Sequence, residues 1–219
     1  EGDGGMRVVG YVLLAALGVL VLLLLAAVLR TLCMKKKTSD YTPRPEPVRE
    51  REYAEKLSRM VAYETVSHPD DPELEKFRGF HKLLAELYPT VHEKLEKTEI
   101  DGNLLFFWEG KNHDRPLVLM SHQDVVPAEG TWEHAPFSGD IADGKVWGRG
   151  ASDTKCSVMG FFQACEELLR EGYVPEQDLY LSSSCTEEFA GPGCGKLVDE
   201  LLRRGVKPFL VCDEGGGII

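Results

Sequence analysis

The chain has 219 residues, of which 43% are apolar and 28% charged, so it can bury a sizeable core and is not disordered as a whole. Its formal net charge is −11, which argues against nucleic acid as a partner because phosphate binding requires a basic face. The six cysteines form no C-x-x-C pair and no spacing typical of a disulfide framework, which favours free thiols in a reducing compartment.

The first predicted element is an apolar helix over residues 8–29, which follows a short flank at residues 1–7. The 22 residues carry no charge, and at about 1.5 Å per residue such a helix spans about 33 Å, the thickness of a bilayer core. Arg30 and three lysines at 35–37 follow it, whereas a cleaved signal peptide, the alternative, has a shorter apolar region and a small-residue site. We therefore predict a single-pass membrane anchor. The basic cluster on its C-terminal side predicts that the rest of the chain is cytoplasmic.

Residues 30–47 form a basic flank and a proline-rich linker, so we expect the globular domain to cover residues 48–219. Hydrophobic periodicity predicts helices over 49–66, 72–87, 153–170 and 195–204, and strands over 103–108, 116–121, 178–184 and 208–212, with a short strand within 142–150. The turn-like segment KNHDR predicts that the first two strands form a hairpin. Strands separated by such helices predict an α/β fold, with a mixed sheet covered by helices on both faces.

Polar side chains follow the predicted strands, at the edge where ligands bind in open α/β sheets. Crowded carboxylates repel one another unless a cation lies among them, and imidazole with carboxylates is a ligand set for zinc or a similar divalent ion. Taken singly, each residue has a plainer interpretation, such as a helix cap for Asp153 or a buried core histidine for His122. The residues at these element ends are His122, Asp124, Asp153, Glu187, Glu188, Asp213 and Glu214.

Two spacings suggest a division of roles among these residues. His122 and Asp124 are two apart, so in an extended chain their side chains point the same way. Asp124 is then the group that orients the imidazole, and His122 is the ligand. Of the adjacent Glu187 and Glu188, one can bind a metal while the other deprotonates a water molecule, and the spacing does not decide between them.

The motifs SHQDVVPA, WEHAPFSGDIADGKVWGRGASDTK, TEEFAG and CDEGG resemble, in this order, those of the co-catalytic di-zinc amidohydrolases. That family includes carboxypeptidase S, carnosinase, aminoacylase and the N-acyl-amino-acid hydrolase/synthases. The resemblance covers roughly residues 50–219, and the stretch 132–155 is most similar to the carboxypeptidase S branch. It implies a zinc-peptidase-like catalytic domain.

The resemblance also implies a role for each residue. His122 and Asp213 bind one zinc, Asp153 bridges two zincs, and Glu188 binds the second. Glu187 is the general base, and Asp124 supports His122. The expected reaction is hydrolysis of an amide bond in a peptide or an N-acyl amino acid by a water molecule that two zinc ions activate, with cobalt or manganese as alternative metals.

The sequence departs from the family pattern after the last motif. Family members supply a further zinc-binding histidine after a separate lid or dimerisation domain, whereas here no histidine follows His134. We therefore expect the chain to be an N-terminal piece of a longer protein, inactive as it stands, whose missing part carries substrate contacts and a homodimer interface. A membrane-tethered binding or regulatory module with an incomplete metal site is the alternative function.

Two glycine-rich segments resemble nucleotide-binding loops but do not fit them. In AGPGCGKL, Leu197 stands where a phosphate-binding loop needs Ser or Thr, and in GRGASD the third glycine of a dinucleotide loop is missing. We interpret the first as a turn into a helix with a solvated Lys196. The three tryptophans, Trp108, Trp132 and Trp147, are expected to pack in the core rather than line a cleft.

Overall fold

The computed structural model describes residues 2–34, 46–69 and 74–214. The chain divides into two units, Glu1–Arg44 and Pro45–Ile219. The first contains helix α1 (Gly2–Leu32), and within it Arg7–Leu32 is a candidate membrane span by length and composition, with a mean hydropathy of 3.2. Such a helix is apolar on all sides, which suits lipid better than water. Lysines 35–37 and most of the predicted linker lie outside the described residues.

The second unit alternates helices and strands. Its helices are α2 (Pro47–Ala62), α3 (Leu74–Leu87), α4 (Pro89–Lys94), α5 (Lys155–Arg170) and α6 (Gly193–Arg203). Its strands are β1 (Glu96–Ile100), β2 (Asn103–Trp108), β3 (Asn112–His122), β4 (Ile141–Ala142), β5 (Lys145–Val146), β6 (Gln177–Ser184) and β7 (Leu210–Cys212).

Five strands form one mixed sheet in the order β1-β2-β6-β3-β7, and β4 and β5 form a small separate hairpin. Strands β3, β6 and β7 run parallel, whereas β2 is antiparallel to both β1 and β6. The predicted hairpin between the first two strands is therefore wrong, because β6 lies between β2 and β3. The hairpin partner of β2 is β1, which the sequence analysis missed, and they meet at Asp101 and Gly102, both with positive φ.

Helices cover both faces of the sheet, so the predicted fold class is confirmed. On one face α2 to α5 pack in a large core with residues such as Phe106 and Leu181. On the other face α6 packs Leu197 and Leu201 against Leu105 and other strand residues. Alternate residues of β2 thus enter two different cores, which explains why its sequence, NLLFFW, is apolar without interruption.

Several boundaries differ from those expected. The helix predicted over 72–87 is described from Leu74 onward, and its predicted start lies outside the described residues. Pro89 ends that helix, as expected, and is also the first residue of α4, since proline is tolerated in a first turn. The sequence pattern did not predict α4. Helix α5 begins at Lys155 rather than Asp153, with Thr154 at the N-cap position, so Asp153 is not its cap.

The tryptophans divide between the core and the surface. Trp108 packs in the larger core as predicted. Trp132 and Trp147 are half-buried outside both cores, so the core prediction is wrong for them. The guanidinium of Arg149 lies 5.0 Å from the ring centroid of Trp132, and the Lys145 ammonium lies 5.1 Å from that of Trp147. Cations over aromatic faces let large rings remain near solvent.

Candidate metal centre

The parallel strands bring the candidate residues to one edge of the sheet. His122 is the last residue of β3 and pairs in register with Ser184, the last residue of β6. Glu187 and Glu188 follow β6 three and four residues later, and Asp213 and Glu214 come directly after β7. Because parallel strands end at the same edge, residues as far apart in sequence as His122 and Glu214 meet there.

His122 lies at the centre of this edge with its side chain only 2% exposed. Its Nε2 atom lies 3.0 Å from Asp153 Oδ1, 3.1 Å from Glu214 Oε1 and 3.7 Å from Glu187 Oε2. Its Nδ1 atom donates a hydrogen bond of 3.0 Å to the backbone oxygen of Asp124, while the nearer carboxylate oxygen of Asp124 is 3.4 Å away. That donation fixes the ring so that Nε2 faces the carboxylates.

These contacts explain the electrostatics of the imidazole. Burial alone lowers the pKa of His122, but the Asp124 hydrogen bond and the charges of Glu214 and Asp124 raise it to about 9. A nitrogen that attracts a proton this strongly among carboxylates offers the same attraction to a metal cation.

Asp124 performs more tasks than the sequence suggests. Its carboxylate is fully buried and accepts hydrogen bonds from Ser67 Oγ at 2.7 Å and from the backbone amides of Glu187 and Glu188, each at 3.1 Å. Burial by itself raises the pKa of Asp124, yet the hydrogen bonds from His122, Ser67 and the two amides lower it overall, so the group is ionised. One carboxylate therefore supports the imidazole and also holds the loop that carries both glutamates.

The carboxylates form two groups that share the imidazole. His122, Asp153 and Glu188 offer ligand atoms within 4.8 Å of one another, and so do His122, Glu187 and Glu214. Burial and neighbouring acidic groups raise the pKa values of Glu187 and Glu188. One imidazole nitrogen facing several carboxylate oxygens is a donor set that zinc and related divalent ions accept. The residues at this edge fit a divalent cation.

Asp213 and Glu214 differ from the expected arrangement. Asp213 is exposed and lines the cavity beside the centre, but it belongs to neither group of neighbouring ligand atoms among the described residues. Glu214 instead approaches the imidazole, with its side chain 28% exposed. Successive residues after a strand point in different directions, so the motif CDEGG alone does not show which carboxylate faces inward. The ligand role of Asp213 stays a prediction.

A cavity of about 340 Å³ opens beside the centre. Glu187, Asp213 and Glu214 stand on its charged side, and Leu197 and Cys194 of α6 form part of its apolar side. The cavity combines an acidic edge with an apolar wall, which is typical of a small-molecule site. Neither this wall nor Ser67 was singled out by sequence reasoning, because each is recognisable only once the helix and the strands are packed together.

The glycine-rich segment before α6 behaves as a turn into a helix. The hydroxyl of Thr186 accepts a hydrogen bond of 2.8 Å from the amide of Gly193, the first residue of α6. Lys196 is 39% exposed and forms an ion pair of 2.6 Å with Asp101. These contacts occupy the groups that a phosphate would need, which agrees with the interpretation drawn from the sequence.

An α/β sheet with an imidazole and several carboxylates at one edge is an arrangement that hydrolases built on mixed sheets can use, and comparison with known proteins identifies the family. Residues 118–218, which include all seven candidate residues, match the sequence model described as peptidase family M20/M25/M40. The chain belongs to this family.

The relatives and related structures are longer than this chain. It is 36% identical over 194 residues to an N-fatty-acyl-amino acid synthase/hydrolase of Danio rerio, covering 85% of this chain and 38% of the relative. It is 38% identical over 186 residues to carboxypeptidase S of Saccharomyces cerevisiae, covering 75% and 32%. Human carnosine dipeptidase 1 shares the fold, with a TM-score of 0.62 and 20% identity over 80% of this chain and 42% of that one. The chain thus spans less than half the length of the curated relatives it matches, 38% and 32% for these two.

Proposed function

We propose that the centre binds two divalent cations, zinc in the first place, and that the protein hydrolyses the amide bond of a peptide or an N-acyl amino acid. The observation that carries this proposal is the position of His122 Nε2, which lies 3.0 to 3.7 Å from carboxylate oxygens of three other segments. Such a cluster of acidic groups around one imidazole is costly without cations. The names of the relatives, a carboxypeptidase and an acyl-amino acid hydrolase, support the choice of bond.

The residues have separate roles in this proposal. His122, Asp153, Glu188 and Asp213 hold the cations, with Glu214 as a further candidate because its carboxylate lies 3.1 Å from the imidazole. When bound, the cations lower the pKa of a water molecule and polarise the substrate carbonyl. Cobalt or manganese would supply the same chemistry with the same oxygen and nitrogen ligands.

Glu187 is the general base. Its side chain is 51% exposed toward the cavity, and burial together with neighbouring carboxylates raises its pKa. A carboxylate with a raised pKa accepts the proton of the attacking water more readily and can deliver it to the departing amine nitrogen. Asp124 keeps Glu187 in place through the amide hydrogen bond of 3.1 Å.

A pair of substitutions tests these roles in the protein expressed from its natural gene. Glu187→Gln keeps the size of the side chain but removes the base, so it should keep two zincs per chain and lose turnover by about 100- to 10,000-fold. Glu188→Gln, the matched variant one residue away, should lose one zinc. Metal content and hydrolysis of dipeptides and N-acyl amino acids are the measurements. Full activity of Glu187→Gln would show that Glu187 is not the general base. A wild-type protein that binds one zinc or none and hydrolyses no substrate would instead indicate the non-catalytic binding module.

The proposal includes the placement of the domain. Residues 8–29 anchor the protein in a membrane, residues 30–47 connect it, and residues 48–219 form the hydrolase domain on the cytoplasmic side. The apolar helix and the basic residues after it support this arrangement. A homodimer formed through a further domain remains a prediction.

A further inference from the structure

A short extended segment, residues 65–67, lies beside the residues that follow β3. Val66 forms a parallel bridge with Val125, the amide of Val125 donates to Thr65 O at 3.1 Å, and the amide of Ser67 donates to Val125 O at 3.2 Å. The sequence pattern predicts a helix as far as Val66, but α2 ends at Ala62. Because Asp124 precedes Val125, the bridge places the Ser67 side chain beside the Asp124 carboxylate.

The Ser67 hydroxyl donates a hydrogen bond of 2.7 Å to Asp124 Oδ2. Ser67 is 8% exposed and Asp124 is 0% exposed, so bulk water has little access to replace this donor. Asp124 Oδ2 also accepts from the Glu188 amide, and Oδ1 accepts from the Glu187 amide. Three donors from two chain segments therefore define how the carboxylate is rotated.

We propose that Ser67 is a positioning residue of the metal centre, which acts by holding the Asp124 carboxylate in the rotation that serves His122, Glu187 and Glu188 together. The inference rests on the proposed function, since it assigns Ser67 to that same centre. Without the Ser67 hydroxyl, the Asp124 carboxylate still accepts from the Glu187 and Glu188 amides. It loses the third hydrogen bond, which opposes its rotation away from the imidazole. A buried carboxylate that loses a partner is also less stable as a charge.

The test compares Ser67→Ala with two matched variants of the full chain. Ser67→Thr retains a hydroxyl at the same position. Thr65→Val removes a buried hydroxyl from the same segment, but that hydroxyl donates to the backbone oxygen of Gln123 at 2.6 Å and not to Asp124. Thermal unfolding of all variants establishes that each is folded before binding is measured.

Two readouts do not depend on activity. Zinc affinity of Ser67→Ala should fall about 10-fold, the low end of the range for residues that support a metal ligand. In the metal-free protein, hydrogen exchange at the Glu187 and Glu188 amides should become several-fold faster, because both amides donate to the released carboxylate. Ser67→Thr should restore both values, and Thr65→Val should change neither.

The outcomes separate this inference from the proposed hydrolysis. If zinc affinity and amide exchange change in Ser67→Ala while the wild-type protein hydrolyses no amide, the positioning role stands and the proposed reaction fails. If Ser67→Ala binds zinc and exchanges both amides like the wild type, or if Thr65→Val has the same effects, Ser67 does not position the centre.

Discussion

Two buried aspartates, Asp124 and Asp178, accept hydrogen bonds at opposite ends of the sheet. Asp124 follows β3 at the edge with the metal centre, and its carboxylate accepts two backbone amides and the Ser67 hydroxyl. Asp178 lies near the start of β6, where it accepts the amide of Gly110 at 2.8 Å and contacts His113 Nδ1 at 2.9 Å. Both carboxylates are buried and both find donors, as buried charges must. Beside Asp124, carboxylate oxygens of Asp153, Glu214 and Glu187 also lie within 3.7 Å of the His122 imidazole, and this crowding supports the proposed metal site.

The His113–Asp178 pair predicts a pH dependence. The Asp178 hydrogen bond and charge raise the pKa of His113 above its ordinary value of 6.5. Because the folded state binds this proton more tightly than the unfolded state, the stabilisation is complete below pH 6.5 and is lost as pH rises through the folded pKa. An NMR titration should therefore place the His113 pKa above 6.5. In Asp178→Asn, which keeps the acceptor for Gly110, the pKa should return toward that value.

A second variant checks the effect on stability. His113→Gln removes the titrating group, so the difference in unfolding free energy between wild type and variant should shrink as pH rises above about 6.5. A difference that stays constant or grows with pH would contradict the assignment. Since His113 is 63% exposed, solvent screens the pair and the effect is small.

At the residue scale, the sequence predicted several of the side chains that meet, but not the approach of Glu214 in place of Asp213 and not all the atoms that join them. His122 and Asp153 were expected together and lie 3.0 Å apart. The carbonyl rather than the carboxylate of Asp124 is the closer partner of the imidazole, at 3.0 Å against 3.4 Å. Ser67 was missed for a different reason: its partner is 57 positions away, and no local pattern marks a hydroxyl that donates to a distant carboxylate.

At the scale of elements, strand patterns identified the central strands but not their neighbours. A turn-like segment joins β2 and β3 and predicts a hairpin between them, since consecutive strands are usually adjacent. In the structure β6 lies between them. Strand β3 pairs parallel with β6, so the ends of these two strands lie side by side. Strand β1, with the sequence EKTEI, is mostly exposed, and its polar composition carries no apolar signal. Pairing with β2 decides its structure, and pairing is a property of the folded chain.

Contacts between helices supply a test of stability away from the centre. Glu166 of α5 is fully buried, and its carboxylate accepts hydrogen bonds from the amides of Thr90 at 3.2 Å and Val91 at 2.8 Å. These amides belong to the first turn of α4, which lacks acceptors within its own helix. Burial alone raises the pKa of Glu166, but these hydrogen bonds and Arg170 lower it overall, so the carboxylate caps α4 in its charged form.

Glu166→Ala should therefore lower the free energy of unfolding by about 2 to 3 kcal/mol, since it leaves two amides without a buried acceptor. Glu166→Gln keeps one acceptor oxygen and should cost less. Glu171→Ala, an exposed site at the end of the same helix, should change stability by less than about 0.5 kcal/mol. Urea unfolding measures all three, and equal losses at positions 166 and 171 would show that the cap contributes nothing.

At the scale of the whole molecule, the two units differ in where their apolar side chains lie. In the helix Arg7–Leu32 none of the most apolar stretch is buried within the protein, whereas the second unit buries one apolar core on each face of its sheet. Composition alone was enough to distinguish these units, because an uncharged apolar segment of this length is typical of a membrane-spanning helix and not of a globular domain. Whether a cell retains the helix as an anchor or removes it as a signal depends on flanking residues, and lysines 35–37 are the strongest of these.

The distribution of charge around the helix predicts its orientation. Arg30 and lysines 35–37 follow it, whereas Arg7 precedes it beside acidic residues. The positive-inside rule therefore expects residues 48–219 on the cytoplasmic side, in keeping with cysteines that form no disulfide. In isolated membranes the protein should stay in the pellet after alkaline carbonate extraction, and protease added from the cytoplasmic side should digest the second unit.

A charge-reversal variant provides the control. Replacing lysines 35–37 by glutamate should invert part of the population or reduce insertion, because the basic flank that holds the C-terminal side in the cytoplasm is lost. Reversal of Arg7 alone should leave the orientation unchanged. Release by carbonate together with a mature N-terminus beyond residue 30 would identify a cleaved signal instead. Protection of the second unit from protease, with the helix still embedded, would place the hydrolase domain on the opposite side and would require its five thiols to persist in an oxidising compartment.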